Sequence, residues 1–411
     1  MKNAFLGIVI HGKKLGRTIG FPTANVALGK GLIEDGVYSL KITFDNSEYL
    51  GVGTYRESIE LFEAHIFEFD RDIYDKNIEI HIIKKIRNNK KFESITDLKN
   101  QIEQDSQEAR KIILLPTLDE IVLRTLNLYT SKKDIQPINL QKFQTPIVVG
   151  SGNGYYTGRI LFRNLGAFFA TESEIEQKLS NIPSITDVVV ISASGEKHAP
   201  IILDTAKKYQ KNTFLISSSE QSSGRTKADD SLVMPKIEEP YTYNTSTYFG
   251  YIFAENPTLD LAALKTFITK TLEETLSTID FIQYKSFFIV LPDEFVLLRE
   301  MLEIKFIELF GRKIARDVFT YEQMKHATTV VTDDNELFLC FGNTTGIQYG
   351  KNQVDLPIFD RTSYAAMMMA GYYLVGKIQI AFPPYFMESI QEYCTKAKTQ
   401  SGFTISAIVK V

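Results

Sequence analysis

The pattern of apolar residues changes once along this chain, and that change limits what the chain can fold into. Up to about residue 90, short segments alternate apolar and polar residues, as in Gly36–Phe44, Phe62–Phe69 and Asn77–Ile83. Alternation with frequent turns predicts strands of a small barrel or sandwich. From residue 146 onward, continuous apolar strands alternate with helical segments. That rhythm predicts parallel sheets covered by helices.

Helical patterns connect these two regions. Ser94 with Asp97 three residues later predicts a helix start, and the helix of about 18 residues would close the barrel. A second helix is predicted for residues 116–131, and the polar residues 131–145 are the expected linker. The predicted domains are a β-barrel over 1–115, a helix and linker over 116–145, and α/β lobes over 146–247 and 248–411. Residues 220–247, rich in Ser, Thr, Pro and charge, are predicted to be a surface connection.

Composition narrows the class of protein. The chain has 411 residues, 44% hydrophobic and 23% charged, which is typical of globular proteins, and its net charge is −4. That charge offers no general reason to bind nucleic acid or an anionic membrane. The N-terminus lacks the apolar run of a signal peptide, and no apolar run is long enough to span a bilayer. We therefore expect a cytoplasmic protein with no nucleic-acid and no membrane partner.

The stretch from His11 to Asn25 is the first candidate site. It carries three glycines, three cations, and the oxygen-bearing side chains of Thr23 and Asn25. Glycine N–H groups and cations suit phosphate, and hydroxyl and amide oxygens are acceptable ligands for Mg²⁺. The alternative, a basic turn before a strand, carries equal weight at this point. The predicted nucleotide-binding residues are Gly12, Gly16, Arg17, Gly20, Thr23 and Asn25, with Thr23 and Asn25 as Mg²⁺ ligands.

An ordered set of motifs over the first 115 residues resembles the riboflavin kinase domain of bacterial riboflavin kinase/FAD synthetases. The matching segments are Gly7–Gly12, Gly16–Asn25, Gly36–Tyr38, Glu63–Phe69, Ile73–Tyr74 and Ile86–Arg87 with Lys91–Phe92. The resemblance implies a six-stranded antiparallel barrel with a C-terminal helix, using ATP as co-substrate with Mg²⁺ and converting riboflavin to FMN. It implies that Glu63 accepts the proton of the riboflavin 5′-hydroxyl and that Arg87 lies near the flavin. From spacing alone, Glu63 reads as a solvent-facing strand residue.

Two departures from that family are visible. The segment Thr54–Phe62 is shorter than usual and lacks proline, in a region that helps to shape the flavin site. The nucleotidyltransferase domain of the bifunctional enzymes is missing. We therefore expect FMN, and not FAD, as the product.

Gly/Ser loops follow three of the apolar strands in the second region. They are Gly150–Tyr156, Ser192–Glu196 and the serines from Ser217 to Ser222. Carboxyl ends of parallel strands are where open α/β sheets bind ligands. Any one serine is more often an ordinary loop residue, but three clusters in equivalent places favour a phosphate site.

Residues 146–411 resemble a double sugar isomerase (SIS) phosphosugar-binding module, because Ser192-Ala-Ser-Gly-Glu196 is similar to its phosphate loop. The resemblance implies a phosphorylated sugar as ligand and a homodimer formed through these lobes. The implied phosphosugar-binding residues are Ser151, Asn153, Ser192, Ser194, Gly195, Ser217 and Ser222.

Two segments of the second lobe resemble catalytic motifs of the isomerising members. Lys305-Phe-Ile-Glu308 matches a helix whose Glu moves a proton between sugar carbons, and His326 lies in a segment whose His assists ring opening. Lys305 and Glu308 could equally form an ordinary helical ion pair. Two functions therefore stay open for this half: an aldose–ketose phosphosugar isomerase and a phosphosugar sensor without turnover.

Overall fold

The chain folds into two compact units, Met1–Pro116 and Thr117–Val411. A computed structural model describes residues 4–12, 15–45, 47–113, 115–132, 135, 137–401 and 405–409. Each unit is built around its own strands, and the strand types differ as the hydrophobic pattern predicts.

The first unit is a closed antiparallel barrel of six strands, as predicted. The strand order is β1-β2-β5-β4-β3-β6. Apolar residues at alternate positions, including Val26, Leu40 and Phe62, fill the interior. The strands are β1 (Ala4–Ile10), β2 (Ala24–Ala27), β3 (Gly36–Phe44), β4 (Ser47–Arg56), β5 (Leu61–Ile66) and β6 (Asn77–Arg87).

Two helices belong to the first unit, a single turn α1 (Leu15–Thr18) and the long α2 (Ile95–Ile113). Ser94 caps α2, since the Asp97 N–H donates to Ser94 Oγ at 3.0 Å. Helix α2 covers outward-facing Val37 and Val52 with Ala109. The predicted C-terminal helix on the barrel is therefore confirmed.

The second unit contains two parallel sheets. The first has the order β11-β10-β9-β7-β8, and the second has the order β14-β13-β15-β16. A short antiparallel pair, β12 with β17, joins two further segments. The strands are β7 (Pro146–Val149), β8 (Phe168–Ala170), β9 (Asp187–Ile191), β10 (Asn212–Ser217), β11 (Asp230–Val233), β12 (Glu239–Pro240), β13 (Ser286–Leu291), β14 (Ala315–Thr320), β15 (Glu336–Phe341), β16 (Asn352–Leu356) and β17 (Ile408–Val409).

Helices cover both sheets, which confirms the predicted α/β class of this region. A π-helical stretch, Phe267–Leu272, joins two of them, α9 and α10. The helices are α3 (Leu118–Ser131), α4 (Asn153–Leu161), α5 (Ile175–Asn181), α6 (Ala199–Lys208), α7 (Ser223–Lys227), α8 (Thr245–Phe253), α9 (Leu261–Thr266), α10 (Glu273–Leu276), α11 (Arg299–Phe310), α12 (Tyr364–Ala381) and α13 (Tyr385–Ser401).

The helix predicted over residues 116–131 is present as α3, but it belongs to the second unit and not to a linker region. Helix α3 is a core element of the second unit, with fully buried Leu118, Ile121 and Leu126. Its Tyr129 hydroxyl donates to the Pro235 carbonyl at 2.7 Å. The division between the units therefore falls at residue 116, before this helix.

The predicted surface connection over 220–247 is also wrong at its C-terminal end. Glu239 is buried and accepts hydrogen bonds from the N–H groups of Thr245 and Ser246 at 2.7 and 3.1 Å. Those bonds hold the start of α8, all of whose residues are buried. The polar residues around Glu239 therefore form an internal hydrogen-bonded segment and not a surface connection.

Two smaller predictions differ from the structure. The helix expected over Thr157–Phe169 begins earlier, at Asn153, and ends at Leu161, so that Phe168 starts strand β8. The terminal strand expected over 403–411 is described only for Ile408–Val409. Helix α13 and strands β14 and β16 were not anticipated.

Among the described residues, no single helix has the length and apolar composition to cross a membrane. Helix α12 and the following segment pass that test only when taken together, and they meet at a bend of 84°.

Candidate functional sites

One row of cross-strand partners crosses the barrel and carries three of the predicted site residues. Asn25 of β2 pairs with Glu63 of β5, and Glu63 pairs with Thr54 of β4. Thr54 pairs with Val37 of β3, which pairs with Arg87 of β6. Directly paired residues share a face of the sheet, so Asn25 and Glu63 are immediate neighbours on the outer surface. Arg87 lies three strands from Glu63, about 14 Å away at the usual strand spacing.

Thr23 and Asn25 line a cavity of about 280 Å³ together with Gly12. The Asn25 side chain is buried beside the Gly12 backbone. A Cβ at position 12 would lie 2.4 Å from Asn25 Nδ2, so glycine is required for this close approach. The segment from Phe69 to Tyr74 forms the facing wall of the cavity. Ile73 and Tyr74, which belong to the riboflavin kinase resemblance, thus line the same cavity as Asn25, a proximity that no local sequence pattern predicts.

Glu63 is held by a residue that sequence reasoning missed. Its Oε2 contacts Arg56 Nη2 in an ion pair. Arg56 pairs with Leu61, so it is a diagonal neighbour of Glu63 on the same face. Among the residues that the structure describes, Glu63 Oε1 has no hydrogen-bond partner. That oxygen is available to accept a proton from a bound hydroxyl.

The glycine-rich stretch forms a turn between β1 and β2. The Phe21 N–H donates to the Gly16 carbonyl at 2.8 Å, and Gly20 has a left-handed backbone with φ of 90°. Lys13, Lys14 and the side chain of Arg17 lie outside the described part of the structure. The predicted contribution of Arg17 to nucleotide binding therefore stays a prediction.

Arg87 is committed to holding helix α2. Its Nε and Nη2 donate to the two carboxylate oxygens of buried Asp105 at 2.9 and 2.6 Å. Two residues further along the chain, Asn89 Nδ2 donates to the Tyr55 carbonyl at 2.7 Å. The loop after Arg87 therefore lies against strand β4, one residue from both Thr54 and Arg56. This loop borders the face that carries Glu63 more directly than the Arg87 guanidinium does.

In the second unit, the strand order of the first sheet reverses at β7, because β8 lies on one side of β7 and β9 lies on the other. Ligands of open α/β sheets bind at such a point, beyond the carboxyl ends of the strands. A cavity of about 800 Å³ lies there and is lined by Ser151 after β7 and by Ser192 and Ser194 after β9. Glu308 of α11 lines the same cavity. The sequence-predicted serine loops and carboxylate are thus brought together.

The loop after β9 is arranged to present its hydroxyls. Ser192 Oγ accepts from the Gly195 N–H at 3.1 Å, and Ser194 Oγ accepts from the Glu196 N–H at 3.2 Å. Each serine therefore keeps its own O–H to donate to an anion. Gly195 has φ of 67° and a Cβ there would lie 2.4 Å from Ser222 Oγ, so its role is to let the loop turn.

Three predicted phosphosugar-binding side chains do not reach the cavity. Ser217 is fully buried and its hydroxyl donates to the Ser219 carbonyl. Ser222 is fully buried as the N-cap of α7, accepting from the Arg225 N–H at 3.3 Å. Asn153 is buried at the start of α4, and its Oδ1 has no partner among the described residues. Sequence cannot separate a serine that faces a ligand from one that caps the next helix, because both occupy the same loops.

Glu308 is the acid–base candidate of this cavity. Burial raises the pKa of its carboxyl, and the nearby Lys305 ammonium opposes that rise. Lys305 is fully buried, and its Nζ lies 2.5 Å from Glu308 Oε2. Lys305 does not line the cavity, and its contact there is with Glu308, so a direct catalytic role for Lys305 stays a prediction. His326 is exposed after a short turn that follows β14 and does not line the cavity, contrary to the prediction.

The only histidine lining this cavity, within the described residues, is His198. Its Nδ1 contacts a carboxylate oxygen of Glu172, which follows the edge strand β8. The carboxylate contact at Nδ1 orients the ring. Neither residue carries a sequence signal, because the strands that they follow, β8 and β9, are separated by β7 in the sheet and local sequence does not report which loops meet.

The strand order of the second sheet also reverses, at β13, since β14 lies on one side of β13 and β15 on the other. Arg361 Nη1 lies 3.0 Å from Glu294 Oε1, and its Nη2 donates to the Gly342 carbonyl at 2.6 Å. The guanidinium thus bridges the segments that follow β13 and β15.

Comparison with known proteins places the first unit in a class of phosphotransferase domains. Residues 2–113 match the family model described as Flavokinase, riboflavin kinase, which confirms the predicted resemblance. The bifunctional riboflavin kinase/FMN adenylyltransferase of Haemophilus influenzae is 44% identical over 112 residues, covering 25% of this chain and 36% of that protein. The RNA-binding riboflavin kinase RibR of Bacillus subtilis is 40% identical over 106 residues, covering 24% of this chain and 46% of that protein. The chain thus spans less than half the length of these curated relatives.

Solved structures similar to the larger part of the chain have low identity. Glucosamine-6-phosphate deaminase from Thermotoga maritima is 16% identical, with a TM-score of 0.47, covering 64% of this chain and 93% of that one. A structure from Clostridium difficile 630, titled as a putative phosphosugar isomerase, is 12% identical with a TM-score of 0.49, covering 67% of this chain and 98% of that one.

Proposed function

We propose that the N-terminal unit transfers the γ-phosphoryl group of ATP to the 5′-hydroxyl of riboflavin, giving FMN and ADP. The observation that carries this proposal is the direct pairing of Asn25 with Glu63, which sets a proton acceptor beside the Thr23 and Asn25 cavity. The match of residues 2–113 to the riboflavin kinase family supports it.

Thr23 and Asn25 suit a magnesium ion that arrives with nucleotide phosphates. Both offer neutral oxygens, and the bare Gly12 backbone leaves room beside the Asn25 amide that a side chain would fill. Bound Mg²⁺ would neutralise charge on the phosphates during transfer.

Glu63 accepts the proton of the riboflavin hydroxyl as that oxygen attacks the γ-phosphorus and the bond to the β-phosphate oxygen breaks. Phosphoryl transfer depends mainly on positioning and charge stabilisation, with one base to orient the nucleophile. A paired β-strand holds Glu63 rigidly, and Arg56 fixes its rotamer through Oε2.

A direct assay tests this proposal. The purified full chain, supplied with riboflavin and Mg·ATP, is expected to form FMN, measured by chromatography with flavin fluorescence. Absence of FMN together with absence of riboflavin binding would overturn the proposal.

We further propose that the second unit binds a phosphosugar and interconverts its aldose and ketose forms. The supporting observation is the shared cavity of Ser192, Ser194 and Glu308. Serine hydroxyls in the loop between β9 and α6 suit a phosphate dianion. Glu308, whose pKa is raised by burial, is suited to take a proton from one sugar carbon and return it to the next.

Calorimetry with fructose 6-phosphate followed by an isomerase assay separates the two alternatives for this unit. Binding with turnover that is lost in Glu308→Gln supports the isomerase. Binding without turnover indicates a sensor, and the absence of binding contradicts both.

A further inference from the structure

The cavity of the second unit is larger and more aromatic than a simple phosphosugar requires. Its volume of about 800 Å³ lies in the upper part of the range for pockets that enclose drug-sized ligands. A hexose phosphate exposes hydroxyl groups over most of its surface and has no flat apolar ring system. Six aromatic side chains nevertheless line the cavity: Tyr241, Tyr248, Phe310, Tyr385, Phe386 and Tyr393.

Several of these rings are accessible to a ligand. Tyr241 and Tyr385 are half-buried, and Tyr393 exposes 52% of its surface. They belong to the segment before α8 and to helix α13, whereas the serine loops belong to the ends of β7 and β9. The cavity therefore has a hydroxyl-bearing wall and a separate aromatic wall.

Charge in the cavity favours a phosphate ester. Each of its two lining carboxylates contacts a basic side chain, Glu172 that of His198 and Glu308 that of Lys305. Lys236 lines the cavity, is half-buried, and makes no hydrogen bond or ion pair among the described residues. Lys313 also lines it, with its ammonium 4.6 Å from the centre of the Tyr385 ring. The ammonium groups of Lys236 and Lys313 suit a dianion.

We propose that this cavity binds FMN, with the ribityl phosphate at the serine loop and the isoalloxazine ring against the aromatic wall. The choice of FMN rests on the function proposed for the first unit, which would produce it. The ribityl phosphate is an open-chain sugar-alcohol phosphate, so it shares its chemistry with a phosphosugar. The whole molecule has roughly twice as many non-hydrogen atoms as a hexose phosphate, which matches the larger cavity. Riboflavin lacks the phosphate and is a poor ligand for the same site.

The test is a titration of the full chain with FMN and, separately, with riboflavin. Binding is monitored through the quenching of flavin fluorescence, and fructose 6-phosphate is the competitor. We expect two equivalents of FMN, of which one is displaced by fructose 6-phosphate, and no displaceable riboflavin. Lys236→Gln and, separately, Tyr385→Leu are each expected to weaken the binding of the displaceable FMN at least about tenfold. That change corresponds to the loss of one good polar contact or ring contact. Lys270→Gln, on the exposed surface of the π-helical stretch, is the matched control and leaves both equivalents unchanged.

A single equivalent of FMN that fructose 6-phosphate does not displace would overturn the inference. So would a displaceable equivalent that neither Lys236→Gln nor Tyr385→Leu weakens. The kinase assay keeps the two proposals distinguishable. Displaceable FMN binding in a chain that makes no FMN contradicts the proposed kinase alone, whereas FMN formation without displaceable binding contradicts this inference alone.

Discussion

Glu63 of β5 and Asn25 of β2 are direct partners in the antiparallel barrel, although they are 38 positions apart in the chain. Their side chains share the outer face, with Arg56 contacting the Glu63 carboxylate from the next strand. The proposed base and a proposed metal ligand are therefore set by strand register, which a local change in loop conformation does not disturb.

Replacing Glu63 by Gln is expected to lower riboflavin phosphorylation by about 10²- to 10⁴-fold, because the amide cannot accept the hydroxyl proton. ATP binding should remain, since the side chain keeps its shape. Turnover is measured as FMN formed, and nucleotide binding by calorimetry. Glu79→Gln, on another strand of the barrel and paired opposite Leu6, is the control. Unchanged turnover in Glu63→Gln would remove this residue from the mechanism.

Gly12→Ala is expected to raise the Mg²⁺ concentration that gives half-maximal turnover. The new Cβ would lie 2.4 Å from Asn25 Nδ2 and push the amide out of position. Displacing a side chain that orients a metal ligand typically costs about 10- to 100-fold in metal affinity. Gly29→Ala is the matched control, because its Cβ would meet only Leu32 Cδ1 at 4.0 Å. Equal Mg²⁺ dependence in the two variants would contradict the assignment of Asn25.

Lys305→Met is expected to make stability more sensitive to pH. In the folded chain, burial raises the pKa of Glu308 above its ordinary value and Lys305 opposes that rise. Removing the ammonium raises the folded-state pKa further while the unfolded value stays the same. The folded state then holds the proton to higher pH, so stability falls more steeply as the pH rises above the ordinary carboxyl value.

Thermal unfolding of this variant and of the wild type from pH 4 to pH 8 measures that difference. Breaking a buried pair costs about 3–5 kcal/mol when the remaining charge stays uncompensated, so the largest gap is expected at the high end. Lys270→Met is the control for loss of a surface lysine. Parallel stability curves for the variant and the wild type would show that Lys305 does not act on Glu308.

Glu172→Gln and His198→Asn are expected to weaken fructose 6-phosphate binding non-additively. The carboxylate orients the imidazole, so removing either group removes the same arrangement. Groups in direct contact typically show coupling energies of about 0.5–3 kcal/mol. Calorimetry on the wild type, both single variants and the double variant measures the coupling. Strictly additive losses would mean that the two residues act separately.

The position of helix α3 predicts which truncation folds. A fragment starting at residue 117 should unfold cooperatively, whereas one starting at residue 132 should lack part of its core. The missing segment carries buried Leu118, Ile121, Leu126 and Tyr129, and each large apolar side chain lost from a core costs about 2–5 kcal/mol. Thermal unfolding and circular dichroism compare the two fragments. Equal cooperativity would return the boundary to the polar segment after α3.

Local patterns predicted many elements at their observed bounds. Strands Gly36–Phe44 and Ser286–Leu291, helix Ala199–Lys208 and the Ser94 cap all follow from periodicity and capping chemistry that act over a few residues. The prediction of a surface connection around Glu239 is wrong because the Glu239 carboxylate accepts its hydrogen bonds from the start of α8. Composition reports polarity, but it cannot report whether water or a buried carboxylate satisfies it.

The site residues likewise divide into those that local sequence patterns indicate and those that only the tertiary structure brings together. The glycines, Thr23 and Asn25 left a nucleotide site and a basic turn as equal alternatives, and only the resemblance to riboflavin kinases made Glu63 a candidate base. Ser192 and Ser194 indicated a phosphate loop. Arg56 beside Glu63, His198 beside Glu172, and the burial of Ser217 and Ser222 away from the cavity could not be predicted. Each depends on strand register or on the direction in which a side chain leaves a crowded loop.

By itself, the sequence determined the two classes of structure, the antiparallel barrel and the parallel α/β sheets, because hydrophobic periodicity depends on short-range geometry. It also indicated loops whose residue types suit phosphate. Only the tertiary structure decided that Asn25 and Glu63 are neighbours, that Glu308 shares a cavity with the loop at Ser192, and that His326 does not. Those relationships join residues that are distant in the chain, and they are fixed by strand order and packing, which no local pattern encodes.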